Sequence, residues 1–375
     1  MTLLGLVATP GPSPLGGTMT TASTMPTARR EAKLYSRLRS GSVRCNLCYR
    51  RCVIAEGERG YCRTRQNVGG TLYTLVYGDL SALKSRPVEI KPFFHYWPGS
   101  TALTFSTWSC NFDCPWCQNH HLSRTPPGES DPSHSPQEIL AIAENAGDQG
   151  LCASFQEPTL GTEFALDLFE LGRSKGLYAC YVSNGYMTRE ALTLLARSGL
   201  DGLKIDLKGP PEVYTTRCGD IDVDHILRNA RAARKLGIHV EIVNLVVTGV
   251  NDGQSSIEWV VDQHLKFLGQ DVPLHFTRYH PAHRWSMPPT PVSVLESAVR
   301  TARSKGVRFA YLGNVAGHRF ENTYCPECES LAIARSGCEI ASFRLDEGFH
   351  CRRCGTALPI VGSYVEGGVV RGRRG

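Results

Sequence analysis

The sequence contains no apolar run long enough to span a lipid bilayer, which disfavours an integral membrane protein. Residues 1–25 lack the basic start of a signal peptide and are rich in Thr, Pro, Ser and Gly, so we expect a disordered extension over residues 1–27. A strong charge of either sign is also missing, because 41 Lys and Arg face 35 Asp and Glu. No basic-aromatic RNA-binding module is present, which disfavours a nucleic-acid partner.

Cysteine, by contrast, is abundant, and its spacing is that of metal sites. Close C-x2-C pairs in a chain of 375 residues indicate metal binding in a reducing compartment rather than a secreted disulfide scaffold. We therefore expect a cytoplasmic protein. Cys152 and Cys180 lie in apolar runs and are predicted to be buried small hydrophobic residues. Eleven cysteines fall into three groups: Cys45, Cys48, Cys52 and Cys62; Cys110, Cys114 and Cys117; Cys325, Cys328, Cys351 and Cys354.

The middle group has only three members, spaced C-x3-C-x2-C. Cys110, Cys114 and Cys117 stand on one short loop, and each thiolate can bind one iron of a [4Fe–4S] cube. The fourth iron then has no protein ligand, and an open coordination position is typical of a catalytic metal site. The alternative is a zinc knuckle that takes a fourth cysteine from elsewhere in the chain.

The other two groups have four members each and predict closed sites. The N-terminal group, C-x2-C-x3-C-x9-C, fits structural zinc or an auxiliary iron–sulfur cluster, and its spacing does not separate the two. Its role would be folding or electron relay. The C-terminal group, C-x2-C-x22-C-x2-C, favours a zinc ribbon over a rubredoxin-like iron.

Between these groups, strand-like and helix-like segments alternate, which predicts a parallel sheet with crossover helices. Helices are predicted over 137–146, 163–175, 189–197, 225–236, 255–268 and 292–305, and a basic helical lead-in over about 27–44. Strands are predicted over 103–108, 153–157, 178–183, 203–207, 240–247, 274–279 and 308–312. The predicted divisions are an extension (1–27), an N-terminal cysteine module (28–100), the α/β domain (101–318), a zinc-ribbon-like module (319–362) and a basic tail (363–375).

Taken together, the loop and the segments around it resemble the radical S-adenosylmethionine (SAM) superfamily. The carrying features are the C-x3-C-x2-C spacing and Trp116 just before the third cysteine. The resemblance implies a partial (β/α)6-type barrel and a [4Fe–4S] cluster whose open iron binds SAM. It also implies one-electron cleavage of SAM to a 5′-deoxyadenosyl radical, which takes a hydrogen atom from a substrate, and a low-potential electron donor of the flavodoxin or ferredoxin type.

The polar residues that follow the predicted strands also match this superfamily, in particular the pyruvate formate-lyase activating enzyme. Val182 stands where that enzyme has an acid, so its monovalent-cation site is not expected here, and Phe155-Gln156 replace two glycines before Glu157-Pro158. The residues that the resemblance places around SAM are Trp116, Gln156, Glu157, Ser183, Asn184, Asp206, Val247 and His280.

The span from Cys45 to Cys354 resembles one branch in particular, the AmmeMemoRadiSam-system radical SAM enzymes. Specific motifs are Lys91-Pro92-Phe93-Phe94-His95, Gln156-Glu157-Pro158-Thr159 and Gly313-Asn314-Val315. The resemblance implies a Memo-like and an AMMECR-type partner protein but names no substrate.

Two other functions stay open on the sequence alone. An activase would install a glycyl radical on a partner enzyme, and would work only in that partner's presence. A non-enzymatic iron–sulfur or zinc scaffold or electron carrier would use three closed sites, whereas the middle group has three cysteines in its loop.

Overall fold

A parallel α/β sheet lies at the centre of the molecule, in a computed structural model that describes residues 28–128, 133–367 and 369–371. The extension predicted over residues 1–27 lies outside the described residues, as do residues 368 and 372–375 of the predicted basic tail. Among the helices that the structure describes, none is both long enough and apolar enough to cross a membrane.

The central sheet has eight strands in the described residues, and its strand order follows the chain. The first strand is antiparallel to the second, and the remaining pairs are all parallel. This confirms the predicted α/β class with a parallel sheet, while its curvature into a partial barrel stays a prediction. The strands are β7 (Ala82–Pro87), β8 (Thr101–Ser106), β9 (Gly150–Ala153), β10 (Tyr178–Ser183), β11 (Gly202–Asp206), β12 (His239–Val246), β13 (Leu274–Arg278) and β14 (Ala310–Gly313).

Helices join successive parallel strands, as the alternation predicts. The capping box at Ser135 begins the second of them, since its hydroxyl accepts from Glu138 N at 3.2 Å and Glu138 Oε2 accepts from Ser135 N at 2.8 Å. Gly199 ends the fourth at φ 114°, in a conformation that favours glycine. The α-helices are α1 (His120–Ser123), α2 (Pro136–Ala146), α3 (Thr162–Ser174), α4 (Arg189–Ser198), α5 (Pro211–Arg217), α6 (Val223–Lys235), α7 (Gln254–Leu268) and α8 (Val292–Ser304).

The N-terminal module consists of short strands, so the predicted helical lead-in over 27–44 is wrong. Isolated helices of this length are marginal in water without an apolar face to bury, and the charged run 29–33 has no such face. The segment forms a strand instead of a helix because its backbone pairs with a later strand. Arg30 pairs with Thr74, and Ala32 N donates to Leu72 O at 2.8 Å. The strands are β1 (Arg30–Glu31), β2 (Tyr35–Arg37), β3 (Val43–Cys45), β4 (Val53–Ile54), β5 (Arg65–Val68) and β6 (Thr71–Thr74).

The C-terminal module is a small sheet next to the edge strand β14. Its core joins that of the central sheet through Phe94, Phe309 and Tyr311. After it, two paired strands occupy part of the stretch predicted as a basic tail. The strands are β15 (Thr323–Tyr324), β16 (Leu331–Ser336), β17 (Glu339–Phe343), β18 (Tyr364–Glu366) and β19 (Val369–Arg371).

A fully buried carboxylate, Glu241 in β12, holds the segment 93–97 beneath the sheet. Its Oε2 accepts from Phe94 N at 3.0 Å and lies 2.7 Å from His275 Nε2, and its Oε1 accepts from His95 N at 2.8 Å. Burial opposes its ionisation, but the hydrogen bonds with the His239 and His275 side chains outweigh burial and lower the pKa of Glu241. The Lys91–His95 motif therefore has a structural role that its sequence did not reveal.

His95 in that segment predicts a pH-dependent part of the stability. Its Nδ1 lies 3.3 Å from Pro359 O, which only accepts, so Nδ1 carries the proton and Nε2 accepts from Tyr311 Oη at 2.6 Å. Burial lowers the pKa of His95 to about 3. An unfolded histidine protonates near pH 6.5, so the unfolded state binds more protons between pH 6.5 and 3, and this contribution falls as pH falls.

We therefore expect the stability gap between the wild type and His95→Gln to narrow below pH 6.5, by up to about 1.4 kcal/mol per pH unit. Denaturant unfolding of both proteins at pH 7, 6 and 5 measures this gap. A gap that is constant from pH 7 to 5 would contradict the prediction.

Candidate active site

The three cysteines of the middle group lie on the loop 107–119, which follows β8 at the carboxyl edge of the parallel sheet; we call it the cluster loop. Phe112 N donates to Cys110 Sγ at 3.3 Å, Cys117 N donates to Cys114 O at 3.2 Å, and Ser123 Oγ lies 3.7 Å from Cys117 Sγ. These contacts direct the three sulfurs into one cavity of about 390 Å3. The edge at which the loop stands is where parallel α/β proteins bind their ligands.

Arginines from three other parts of the chain hold the backbone of the cluster loop in place. Arg50 Nε donates to Asn111 O at 2.6 Å, and Arg124 Nη1 donates to Phe112 O at 3.1 Å. Arg284 Nη2 donates to Asp113 O at 3.3 Å and to the Asp113 side chain at Oδ1, 2.6 Å away. The loop is therefore joined by hydrogen bonds to three other parts of the chain.

The arrangement of the three thiols fits a cluster better than a single ion. Within the described ranges, no three sulfurs of the cluster loop lie within 4.8 Å of one another, as one tetrahedral ion would require. Burial raises the pKa of the Cys110 and Cys117 thiols, whereas the hydrogen bond with Cys218 lowers the pKa of Cys114. Binding to a positive metal centre stabilises cysteines as thiolates. The residues present therefore fit an iron–sulfur cluster.

Glu157 positions the end of β10 rather than facing the cavity freely. Its Oε1 accepts from Ser183 Oγ at 2.8 Å and its Oε2 accepts from Asn184 N at 2.8 Å. Asn184 then donates from Nδ2 to Asn111 Oδ1 at 2.8 Å, with Cys110 Sγ 3.9 Å away. Hydrogen bonds thus join the predicted site residues after β9 and β10 to the cluster loop.

Gln156 is the clearest group left for a ligand. Its Nε2 donates to Thr107 Oγ1 at 2.5 Å, but its Oε1 is buried in the cavity lining and has no partner among the described residues. Such an orphaned acceptor suits the ammonium group of an amino acid. The preceding Phe155 has φ 71°, a left-handed conformation that favours glycine, and β9 ends at Ala153 rather than at the predicted residue 157 because the backbone turns here.

Asp206 lies in the cavity lining between two lysines. Its carboxylate contacts Lys204 Nζ and lies 3.2 Å from Lys208 Nζ. Burial disfavours its ionised form, but the two ammonium groups outweigh burial and lower the pKa of Asp206 to about 2. Asp206 is therefore an anion at neutral pH, and the trio carries a net positive charge.

The structure brings most, but not all, of the predicted SAM-contact residues together. Trp116, Gln156, Glu157, Ser183, Asn184 and Asp206 line the cavity with the three cysteines. Val247 is buried elsewhere, and His280 is exposed beyond β13; neither belongs to the lining. Lys204 and Lys208 were missed, although their alternation around Asp206 at the end of β11 was a usable signal.

The C-terminal cysteines form a compact four-thiol group. Cys325 Sγ lies 3.5 Å from Cys354 Sγ, and Cys328 Sγ lies 3.7 Å from Cys351 Sγ. All four sulfurs are within 4.8 Å of one another, so this site can hold a metal ion. The N-terminal cysteines line a separate cavity. All fifteen cysteines lie in the described residues, and none is in a disulfide.

Comparison with known proteins agrees with this geometry. Residues 106–260 match the family model of the radical SAM superfamily. A relative from Methanocaldococcus jannaschii, the uncharacterized protein MJ0808, is 37% identical over 335 residues, which are 88% of this chain and 99% of the relative. The chain contains a radical SAM superfamily domain.

Solved structures of other radical SAM proteins show remote likeness. A domain of a pyruvate-formate lyase-activating enzyme from Bacteroides vulgatus is 20% identical, with 44% of this chain and 99% of that chain covered and a TM-score of 0.38. A radical SAM methyltransferase from Sphaerobacter thermophilus is 13% identical, with 76% and 77% covered and a TM-score of 0.46. Membership of the superfamily implies a [4Fe–4S] cluster and SAM as cofactors.

Proposed function

We propose that this chain is a radical SAM enzyme whose catalytic cluster is held by Cys110, Cys114 and Cys117. When bound there, the cluster supplies the one electron that cleaves SAM, and the resulting 5′-deoxyadenosyl radical takes a hydrogen atom from the substrate. The observation that carries this proposal is the shared cavity, where three sulfurs of one loop meet the orphaned acceptor Gln156 Oε1. A cavity of about 390 Å3 is within the size range of small-molecule sites.

The chain's own residues would bind and orient SAM. Gln156 Oε1 would accept from the ammonium group of its methionine part, and Asn184 would fix the loop beside Cys110. The lysines at Asp206 would keep the charge of the cavity floor positive at neutral pH. Trp116, 3% exposed, would exclude water from the side of the third cysteine.

The experiment that tests the activity is single-turnover SAM cleavage by the full chain. Protein reconstituted with iron and sulfide without oxygen, then reduced with dithionite, should convert SAM to 5′-deoxyadenosine and methionine. Omitting the reductant is the control. Failure to form 5′-deoxyadenosine in a reduced, iron-loaded sample would contradict the proposal.

We further infer that the chain belongs to the AmmeMemoRadiSam branch and acts with a Memo-like and an AMMECR-type protein in a reducing, cytoplasmic compartment. The motifs between Cys45 and Cys354 that resemble this branch support the inference. Deuterium transfer into 5′-deoxyadenosine from labelled partner proteins, compared with labelled cell metabolites, tests this inference. Transfer from metabolites alone would argue against a protein substrate, including the glycine of an activase target.

Cys218 would tune the catalytic cluster without binding it. Its Sγ lies 3.5 Å from Cys114 Sγ, which suits an S–H···S hydrogen bond but is too close for ligands of two different irons of one cluster. We expect Cys218→Ala to keep the iron content and to make the reduction potential more negative, because a donor to the reduced cluster is lost. Cys218→Ser keeps a donor and should shift the potential less.

Potentiometric titration followed by electron paramagnetic resonance measures both shifts. Loss of iron from Cys218→Ala would instead show that Cys218 is a ligand and fills the open corner of the cluster.

A further inference from the structure

A second cavity lined by cysteines lies in the N-terminal module, and the proposed activity does not use it. It is lined by the four N-terminal cysteines together with Arg65 and Asn111, among other residues. Cys45, Cys48 and Cys62 are buried, and Cys52 is half-buried. Gly60 also lines the cavity. The space beside it is small, since an added Cβ would lie 3.1 Å from Ile54 and 3.8 Å from Cys52 Cβ. The cavity is therefore closed tightly around the four thiols.

The spacing of these sulfurs differs from that of a single zinc ion. Tetrahedral zinc with Zn–S bonds of about 2.3 Å holds its sulfurs about 3.8 Å apart. The C-terminal group has that spacing, at 3.5 and 3.7 Å. In the N-terminal group, where every residue is described, no three sulfurs lie within 4.8 Å of one another. Several irons bridged by sulfide spread their thiolates in this way.

Two buried donors point to the same occupant. Asn111, 0% exposed, and Arg65, 1% exposed, both line the cavity. Asn111 Nδ2 and Arg65 Nε have no acceptor within the part of the chain that the structure describes. The charge of Arg65 also interacts with Cys45 and Cys62. Buried donors without acceptors are costly, whereas the sulfides and thiolates of a cluster accept such hydrogen bonds.

We propose that Cys45, Cys48, Cys52 and Cys62 hold an iron–sulfur cluster of more than one iron, with Asn111 and Arg65 donating hydrogen bonds to its sulfurs. The C-terminal group, by the same comparison of spacing, fits a single tetrahedral metal ion.

The position of this second cluster suits an electron relay to the catalytic cluster. This role depends on the proposed radical SAM activity. Asn111 follows Cys110 directly and joins the two cavities, because its Oδ1 accepts from Asn184, which lines the catalytic one. Arg50 also connects the N-terminal module to the cluster loop. Its guanidinium lies over the Tyr61 ring and donates to Asn111 O and, at 2.8 Å, to Gly219 O. A flavodoxin- or ferredoxin-type donor would lose one electron to the N-terminal cluster, which would pass it to the catalytic cluster with no bond made or broken.

Metal analysis of a full-length variant, in which the three catalytic cysteines are replaced, tests the proposed N-terminal cluster. The triple variant Cys110→Ala/Cys114→Ala/Cys117→Ala, reconstituted without oxygen, should keep iron, acid-labile sulfide and a paramagnetic signal on reduction. Adding Cys45→Ala and Cys48→Ala should remove all three. The wild type should hold more than the roughly four irons and four sulfides of one catalytic [4Fe–4S] cluster, a count that does not depend on how well the triple variant folds. Zinc without iron and sulfide in the triple variant would overturn the proposal.

This experiment is independent of SAM, so a wild type that fails to cleave SAM would leave its outcome unchanged. The donor role of Asn111 has its own readout in the triple-variant background. Asn111→Leu should make the potential of the remaining cluster more negative, since a donor to its sulfur is lost, whereas an unchanged potential would exclude Asn111 as that donor.

Discussion

Replacing Cys117 by alanine should reduce 5′-deoxyadenosine formation below detection. The cysteine lies on the wall of the catalytic cavity, beside Trp116 and Ser123, and two thiolates cannot hold a four-iron cube in a defined position. The loss should therefore affect both the cluster and the reaction. Anaerobic iron analysis and chromatographic detection of 5′-deoxyadenosine after reduction measure the two effects.

The matched control is Cys338→Ala, which removes a half-buried thiol outside all three cysteine groups. It should keep both the iron content and the rate. If Cys117→Ala still produced 5′-deoxyadenosine at the wild-type rate, the assignment of the cluster loop as the catalytic centre would be wrong.

The second large effect concerns the buried ion pair between the N-terminal module and the α/β domain. Arg65 Nη1 and Nη2 each donate to Glu163 at 2.7 Å, and Nη2 also donates to Leu160 O at 3.0 Å. The side chains are 2% and 3% exposed. Burial opposes the charge of both groups, but each partner outweighs it, so the pKa of Glu163 is lowered and that of Arg65 is raised.

Arg65→Met should destabilise the protein by about 3–5 kcal/mol, because it leaves the Glu163 carboxylate buried with only Lys33 N as a donor. Denaturant unfolding followed by tryptophan fluorescence measures the change. The double variant Arg65→Met/Glu163→Leu should recover most of the loss, since no buried charge then lacks a partner. A double variant that is less stable than Arg65→Met would contradict this account.

Local patterns in the sequence predicted a group of residues that the structure brings together in one cavity. The C-x3-C-x2-C spacing identified the three thiols, and the polar residues after the strands identified Gln156 and Asn184, because carboxyl ends of parallel strands meet at one edge. Val247 and His280 come after strands of the same edge but do not line the cavity, so their contact with SAM stays a prediction. Whether a residue beyond a strand end turns inward depends on the path of its loop, which no short pattern encodes.

Contacts between residues far apart in the chain also explain where the predicted secondary structure was wrong. The charged lead-in became strands because β6 offered it backbone partners from 40 residues away, and the Lys91–His95 motif was tied to Glu241, almost 150 residues later. Phe155 adopts a left-handed conformation that the sequence would assign to glycine. Contacts between distant residues overrode local preference at each of these positions.

The sequence by itself determined the class of chemistry and the parallel α/β architecture, because ligand type, ligand spacing and strand–helix alternation are local properties of the chain. Only the tertiary structure decided which four-cysteine group has the spacing of a single ion, where Asn111 lies between the two cavities, and which polar atoms are left without partners. These are distances and burial among residues far apart in the chain, and they exist only once the modules have packed together.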